Sequence, residues 1–232
     1  MKKLLILTCL YLSVSTIQAQ TCNEYFPLTD GTRWVLETFN HKNKFQTKSV
    51  QHVTDTKNTS DGYAGRMIGE IFDNKEKSIG KLDYDLKCAG DNFYVSMNSM
   101  LSNEQMEAYA DMDVSVDGDF LELPANMSAG MDLKDAAIEV RVKNSGIPIM
   151  TINMDVYERK VEGFESVTTP AGTFECVKIS FRARTKMGKA IPIKVEVSGT
   201  EWYAKGTGLV RSESYDKKNK LTGYTVLTEY SE

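Results

Sequence analysis

Apolar and polar residues alternate along most of this chain with a period of two. Trp34, Leu36 and Thr38 alternate with Arg33, Val35 and Glu37. Ile138, Val140 and Val142 alternate with Glu139 and Arg141, and Ile152, Met154 and Val156 with Asn153 and Asp155. Ile191, Ile193, Val195 and Val197 alternate with Pro192, Lys194 and Glu196. Near the end, Tyr224, Val226 and Thr228 alternate with Thr225 and Leu227. A period of two places one face in a core and the other in water, the pattern of antiparallel strands. Turn chemistry separates the runs. Thr29-Asp30-Gly31 precedes the Trp34 strand, and residues 58–62 break the next pair. Asp117-Gly118 signals a tight hairpin. Pro170-Ala171-Gly172 fits a type I turn with Pro first among the central residues. Residues 186–189 and 217–220 read as polar hairpin tips carrying Gly188 and Asn219.

Two short segments break the period. Ser102-Asn103-Glu104-Gln105 has the capping-box pattern and predicts a helix with Met106, Tyr109 and Ala110 on one side. Residues 132–137 predict a further helical turn. The expected fold is mainly β: a large curved antiparallel sheet or half-barrel with one or two short helices packed on it.

The N-terminus changes the setting. Lys2 and Lys3 precede an uncharged apolar stretch over residues 4–17, and Gln18-Ala19-Gln20 offers a small residue for cleavage. This is the order of a secretory signal peptide, and the stretch is short for a membrane span of about 20 apolar residues. Residues 1–20 are therefore expected to be a cleaved signal and residues 21–232 a single β-rich domain, exported to the periplasm or beyond. Threonine precedes both Cys9 and Cys22, where a lipid anchor wants a small residue, so a soluble mature form without a transmembrane segment is expected. Cys22, Cys88 and Cys176 remain after cleavage, in a compartment where disulfides persist. Cys88 is in phase with Leu82, Tyr84 and Leu86. Cys176 is out of phase with Val177, Ile179 and Phe181. The expected link is Cys22 with Cys88, with Cys176 free and facing away from the core.

From Tyr157 onward the sequence has a recognisable cast. It runs Glu158-Arg159-Lys160-Val161-Glu162-Gly163, then Thr168-Thr169-Pro170-Ala171-Gly172-Thr173-Phe174-Glu175-Cys176. Later comes Trp202-Tyr203-Ala204-Lys205-Gly206-Thr207-Gly208-Leu209-Val210. With Cys22-Asn23-Glu24-Tyr25-Phe26-Pro27-Leu28 at the start, this resembles the TapB-like family of exported bacterial proteins of unknown function. The match is good at both ends and looser over residues 90–143. The resemblance implies an envelope β protein akin to the half-barrel lipoprotein carriers, and it implies no reaction.

Candidate chemistry is sparse. The formal charge of −4 comes from interspersed signs without a basic stripe, which argues against a nucleic-acid partner. His41 and His52 have no metal-ligand spacing, so no metal or other cofactor is expected. Asp111, Asp113, Asp117 and Asp119 lack the calcium-loop pattern and read as the acidic outer face of a hairpin. No Gly-x-Ser-x-Gly elbow occurs, and no motif ties a histidine to Cys176. Six of the eleven methionines fall within residues 97–131. Flexible thioethers suit a surface that repacks around different apolar ligands. Met97, Met100, Met106, Tyr109, Met112, Met127 and Met131 are thus the candidate ligand-binding residues. The expected function is a non-catalytic cell-envelope binding module for a lipid, another apolar or amphipathic ligand, or a partner's hydrophobic segment. The rival readings are an envelope hydrolase using paired carboxylates or Cys176, and a surface protein-interaction domain without a small ligand.

Overall fold

In chain order the strands are β1 (Arg33–Asn40), β2 (Phe45–Thr59), β3 (Gly62–Asp73), β4 (Ser78–Ala89), β5 (Asn92–Ser96), β6 (Asp113–Gly118) and β7 (Phe120–Pro124). They continue as β8 (Asp132–Leu133), β9 (Ala136–Asn144), β10 (Ile147–Thr169), β11 (Gly172–Gly188), β12 (Ile193–Ala204), β13 (Gly208–Tyr215) and β14 (Leu221–Ser231). The computed structural model describes residues 25–101, 109, 111–188 and 192–232. Among them the helical element is a single 3-10 turn, Met97–Met100. The helical turn expected over residues 132–137 is instead β8 and the start of β9. Its alternating burial at Ala136, Ile138, Val140 and Val142 shows why period two wins there. The helix expected from Ser102 falls on residues outside the described set, apart from Tyr109.

All strands join one antiparallel sheet in the order β6-β9-β10-β11-β12-β13-β14-β1-β2-β3-β4-β5-β7, with β8 beside β10. The two end strands of this order, β6 and β7, are consecutive in the chain. The sheet therefore curls until its edges meet, a nearly closed barrel. Asp119 is the joint. Its N–H donates to Ala137 O at 2.8 Å, and its carbonyl accepts from Met97 N at 3.1 Å. One stretch of chain thus pairs first with β9 and then with β5. This overturns the tight hairpin expected at Asp117-Gly118. Gly118 is there for close approach instead: a Cβ on it would lie 2.9 Å from Ile138 Cγ1. Elsewhere the barrel is a hairpin meander, except that β1 pairs with β14 from opposite ends of the chain, Arg33 facing Ser231.

Three hairpin tips use one device. Asn40 Oδ1 accepts from the N–H groups of Lys42 and Lys44, Asp73 Oδ1 from Lys75 and Lys77, and Asp216 Oδ1 from Lys218 and Lys220. Asn43, Glu76 and Asn219 take the left-handed conformation in each, at φ 58°, 60° and 58°. The side chain imitates a backbone turn and fixes the strand register.

Two cores fill the inside. The lower one lies toward the β10–β11 turn and includes Trp34, Met67, Leu86, Phe93, Val177 and Leu227. Phe26 plugs it, its ring 4.8 Å from Trp34 and 5.1 Å from Phe93. Trp34 Nε1 donates to Thr207 O at 2.6 Å, so the indole is buried without an unpaired donor. Each fully buried large side chain of this kind contributes roughly 1.5–3 kcal/mol. The upper core packs Ala136, Ile138, Val140, Val142, Ile152 and Val156 against Met97.

The upper wall is uneven. β10 has 23 residues and β13 only 8. β12 pairs with β11 along Ile193 to Val197, but its pairing with β13 starts at Ser198. The expected core residues Ile193, Val195 and Val197 are consequently 69%, 53% and 36% exposed. Their phase is as expected, but the wall that would cover them ends too soon. Ile191 lies outside the described residues.

Candidate functional site

The upper ends of β9 to β12 carry a continuous apolar face. By register, Val116, Val140, Ile152, Met187 and Ile193 form one row across β6, β9, β10, β11 and β12. Rows of Ile138, Met154, Thr185 and Val195, and of Ala136, Val156, Ala183 and Val197, run beside it, Thr185 being the polar member. The middle of this face is buried and its β12 rim is open. Leu101, Tyr109 and Met112 pack over the middle. The curl of the sheet makes this face an apolar trough, covered over its middle and exposed at both rims, Val116 on β6 and Ile193, Val195 and Val197 on β12.

The predicted methionine set divides between the two cores. Met97, Tyr109 and Met112 reach the upper core, whereas Met127 and Met131 belong to the lower one. Met100 is part of the 3-10 turn, and Met106 lies outside the described residues. The seven residues therefore do not make one surface. Met150, Met154 and Met187 join the upper group instead. Tyr109 Oη donates to Met150 Sδ at 3.1 Å, across 41 positions of sequence. No spacing signal links residues so far apart.

A polar layer lies between the two cores. On the inner face of β12, the phase of Ile193, Val195 and Val197 continues through Gly199 to Glu201 and Tyr203. Tyr203 Oη donates to Glu201 Oε2 at 2.9 Å. Burial pushes the Glu201 carboxyl up, opposed by the Tyr203 hydrogen bond and the Arg159 charge. Burial likewise pushes Tyr203 and Tyr84 up, and pushes Arg159 down. Arg159 Nη1 donates to Lys134 O at 2.7 Å and Nη2 to Glu122 O at 3.1 Å. Glu122 belongs to β7 and Lys134 to the connection between β8 and β9, so the guanidinium ties β10 to both across the seam. Sequence reading missed this layer, although Glu201 in the phase of Val195 and Val197 is its trace.

A second concavity, about 370 Å3, is lined by Tyr25, Phe164, Phe174, Cys176, Ala204 and Lys205 among others. Cys176 is 2% exposed and packs with the lower core, which corrects the expectation that it faces away. Both faces of β11 are covered here, because the N-terminal residues around Tyr25 lie over the second one. Burial, helped by Glu175 and Glu165, pushes the Cys176 thiol up to about 11, and it donates to Phe174 O. It is the free cysteine among the described residues, and Cys22 lies outside them. His41 and His52 are exposed on the β1–β2 hairpin. Asp113 and Asp117 are exposed along β6 and Asp111 just before it, while Asp119 holds the seam. Among the described residues no group of three or more His, Cys, Asp or Glu is placed to hold a metal.

These features define a nearly closed antiparallel β-barrel with a polar layer between two apolar cores. The chain belongs to the DUF3108-like family, whose model matches residues 29–227. Two crystal structures share the fold. One, from Parabacteroides distasonis and described as a candidate lipoprotein, is 28% identical with a TM-score of 0.73, covering 90% of this chain and 99% of that one. The other, from Bacteroides fragilis, is described as a candidate exported protein with a YmcC-like fold. It is 24% identical with a TM-score of 0.71, over 91% and 100% of the two chains. Comparison with curated proteins gives no match.

Proposed function

We propose that this chain is an exported, non-catalytic binding module of the bacterial cell envelope that holds an apolar or amphipathic ligand in the upper trough. The carrying observation is the open β12 rim: Ile193, Val195 and Val197 continue a buried apolar face into solvent. A protein that lived as a filled barrel would end that face where its cover ends. Methionines along the trough suit repacking around ligands of different shape. Glu201 and Tyr203 lie below the trough, where a polar head would meet them. Export is supported by the charged-then-apolar N-terminus and by the descriptions given to the two similar structures. Placement in a TapB-like group, akin to half-barrel lipoprotein carriers, belongs to the same proposal. A hydrolase that used Cys176, one of the two forms of that alternative, would need it as a thiolate, and its burial opposes that.

The test is native mass spectrometry of the mature protein together with titration by an apolar fluorophore. A retained lipid, or saturable uptake weakened by Met112→Asp and Met187→Asp without unfolding, is the expected result. A folded protein that takes up no probe is a surface-interaction domain instead, and the reading is wrong.

A further inference from the structure

The open stretch of β12 has a second property that a ligand trough does not require. On one side Ile193 to Val197 is bonded to β11, and on the other it has no strand partner among the described residues. An unpaired edge with exposed apolar side chains is a template for strand addition, and proteins usually guard such edges. No proline falls within these five residues, and their two charges are of opposite sign: Ile193-Lys194-Val195-Glu196-Val197.

This segment is complementary to itself. If two copies of β12 lie antiparallel about a two-fold axis at Val195, the two Val195 side chains face each other. Each Ile193 then faces the other copy's Val197, and each Lys194 faces the other copy's Glu196. One face of the new pair is wholly apolar, and the other carries two opposite-charge pairs. Sliding the register by two residues either way sets Lys194 against Lys194 or Glu196 against Glu196. Like charges directly opposite each other are unfavourable, so the sequence selects one register. Within a single copy Lys194 Nζ and Glu196 Oε1 already meet at 2.8 Å, both partly exposed. Such a surface pair is weak and free to exchange partners.

We propose that two copies of this chain associate through β12 edges in that register. The occupant is a second copy, because the charge order fits its own reverse and the apolar row fits itself, as a two-fold interface demands. Tyr215 of β13, opposite Ser198, limits the paired segment to five residues. Association is therefore concentration-dependent, below the area of a permanent dimer. The two troughs would meet along a common rim, but the proposal does not depend on either trough holding a ligand.

The test is sedimentation velocity of the mature protein over a wide concentration range, with far-UV circular dichroism on every variant. Wild type is expected to shift from monomer toward dimer mass. Lys194→Glu and Glu196→Lys should each weaken self-association about tenfold or more, because both cross-copy pairs become repulsive. The double variant Lys194→Glu/Glu196→Lys restores complementarity and should recover the dimer. An equimolar mixture of the two single variants should form mixed dimers. Val195→Asp, at an exposed position on the axis, should also give monomer while leaving the fold intact. A wild type that stays monomeric, single variants that still dimerise, or a charge swap that recovers nothing would each overturn the proposal. Fluorophore uptake by the monomeric Lys194→Glu variant separates this result from the ligand reading.

Discussion

Asp119 and Ala137 are joined twice: the Asp119 N–H donates to Ala137 O at 2.8 Å, and the Ala137 N–H donates to Asp119 Oδ2 at 3.0 Å. The second bond takes the place of a ladder bond at the point where the chain leaves β9 for β5. Asp119→Ala should therefore loosen the seam locally. Hydrogen exchange is expected to quicken at the amides of Ala137 and Met97, with a global loss below about 1 kcal/mol because the site is exposed. Unchanged protection at both amides would show that the backbone bonds hold the seam alone.

Arg159 is the buried counterpart of that joint. Arg159→Ala would leave two carbonyls, those of Lys134 and Glu122, without a donor, and should cost about 2–4 kcal/mol in urea unfolding. Arg159→Met, which fills the space without a charge, should cost less than the alanine change, because it keeps the buried packing that alanine loses. Equal losses for both variants would mean that the hydrogen bonds carry the whole effect.

The three matching hairpin tips predict an acid response. Asp73 is held below its ordinary value of 3.8 by the amides of Lys77 and Lys75, and Asp216 by those of Lys220 and Lys218. A depressed carboxylate contributes stability that is present above its unfolded value and is lost as pH falls through the folded value. Asn40 performs the same task without titrating. Replacing Asp73 and Asp216 by Asn should flatten the fall of Tm below about pH 4. A Tm profile identical to that of wild type would remove these two turns from the acid response.

The thiols should differ in reactivity. Cys176 is buried and raised to about 11, so alkylation at neutral pH should be slow in the folded protein and fast in denaturant. Non-reducing peptide mapping is expected to link Cys22 to Cys88, closing a loop of about 65 residues worth a few kcal/mol in the chain-entropy model. A map that joins Cys176 to either would reverse both expectations.

Local patterns were legible in the sequence; choices of partner were not. Ile138, Val140 and Val142 alternate in sequence and are buried as the alternation implies. Pro170 and Ala171 form the β10–β11 turn, with Thr169 facing Gly172. Asp117-Gly118 looks like a hairpin because the dipeptide is judged locally, whereas the seam depends on β9 and β5 being at hand. The alternation of Val195 and Val197 told which face they share, but not that β13 stops short of them. Met150 and Met187 come to Tyr109 and Met112 only through the curl of the sheet, and Arg159 reads as one more charge on a strand until its two carbonyls are seen.

The pairing of Arg33 with Ser231 bears on how this barrel assembles. Most neighbouring strands meet as hairpins, which form quickly because little chain must be looped out. Joining β1 to β14 encloses nearly the whole domain. The entropic cost of so large a loop grows only slowly with length, yet it precedes any reward from that contact. A ribbon of preformed hairpins would thus wait for its two ends to meet, with the outer edges of β1 and β14 bare until they pair. Whatever shields those two edges during that wait, a chaperone or mere speed, protects the protein at its most aggregation-prone moment.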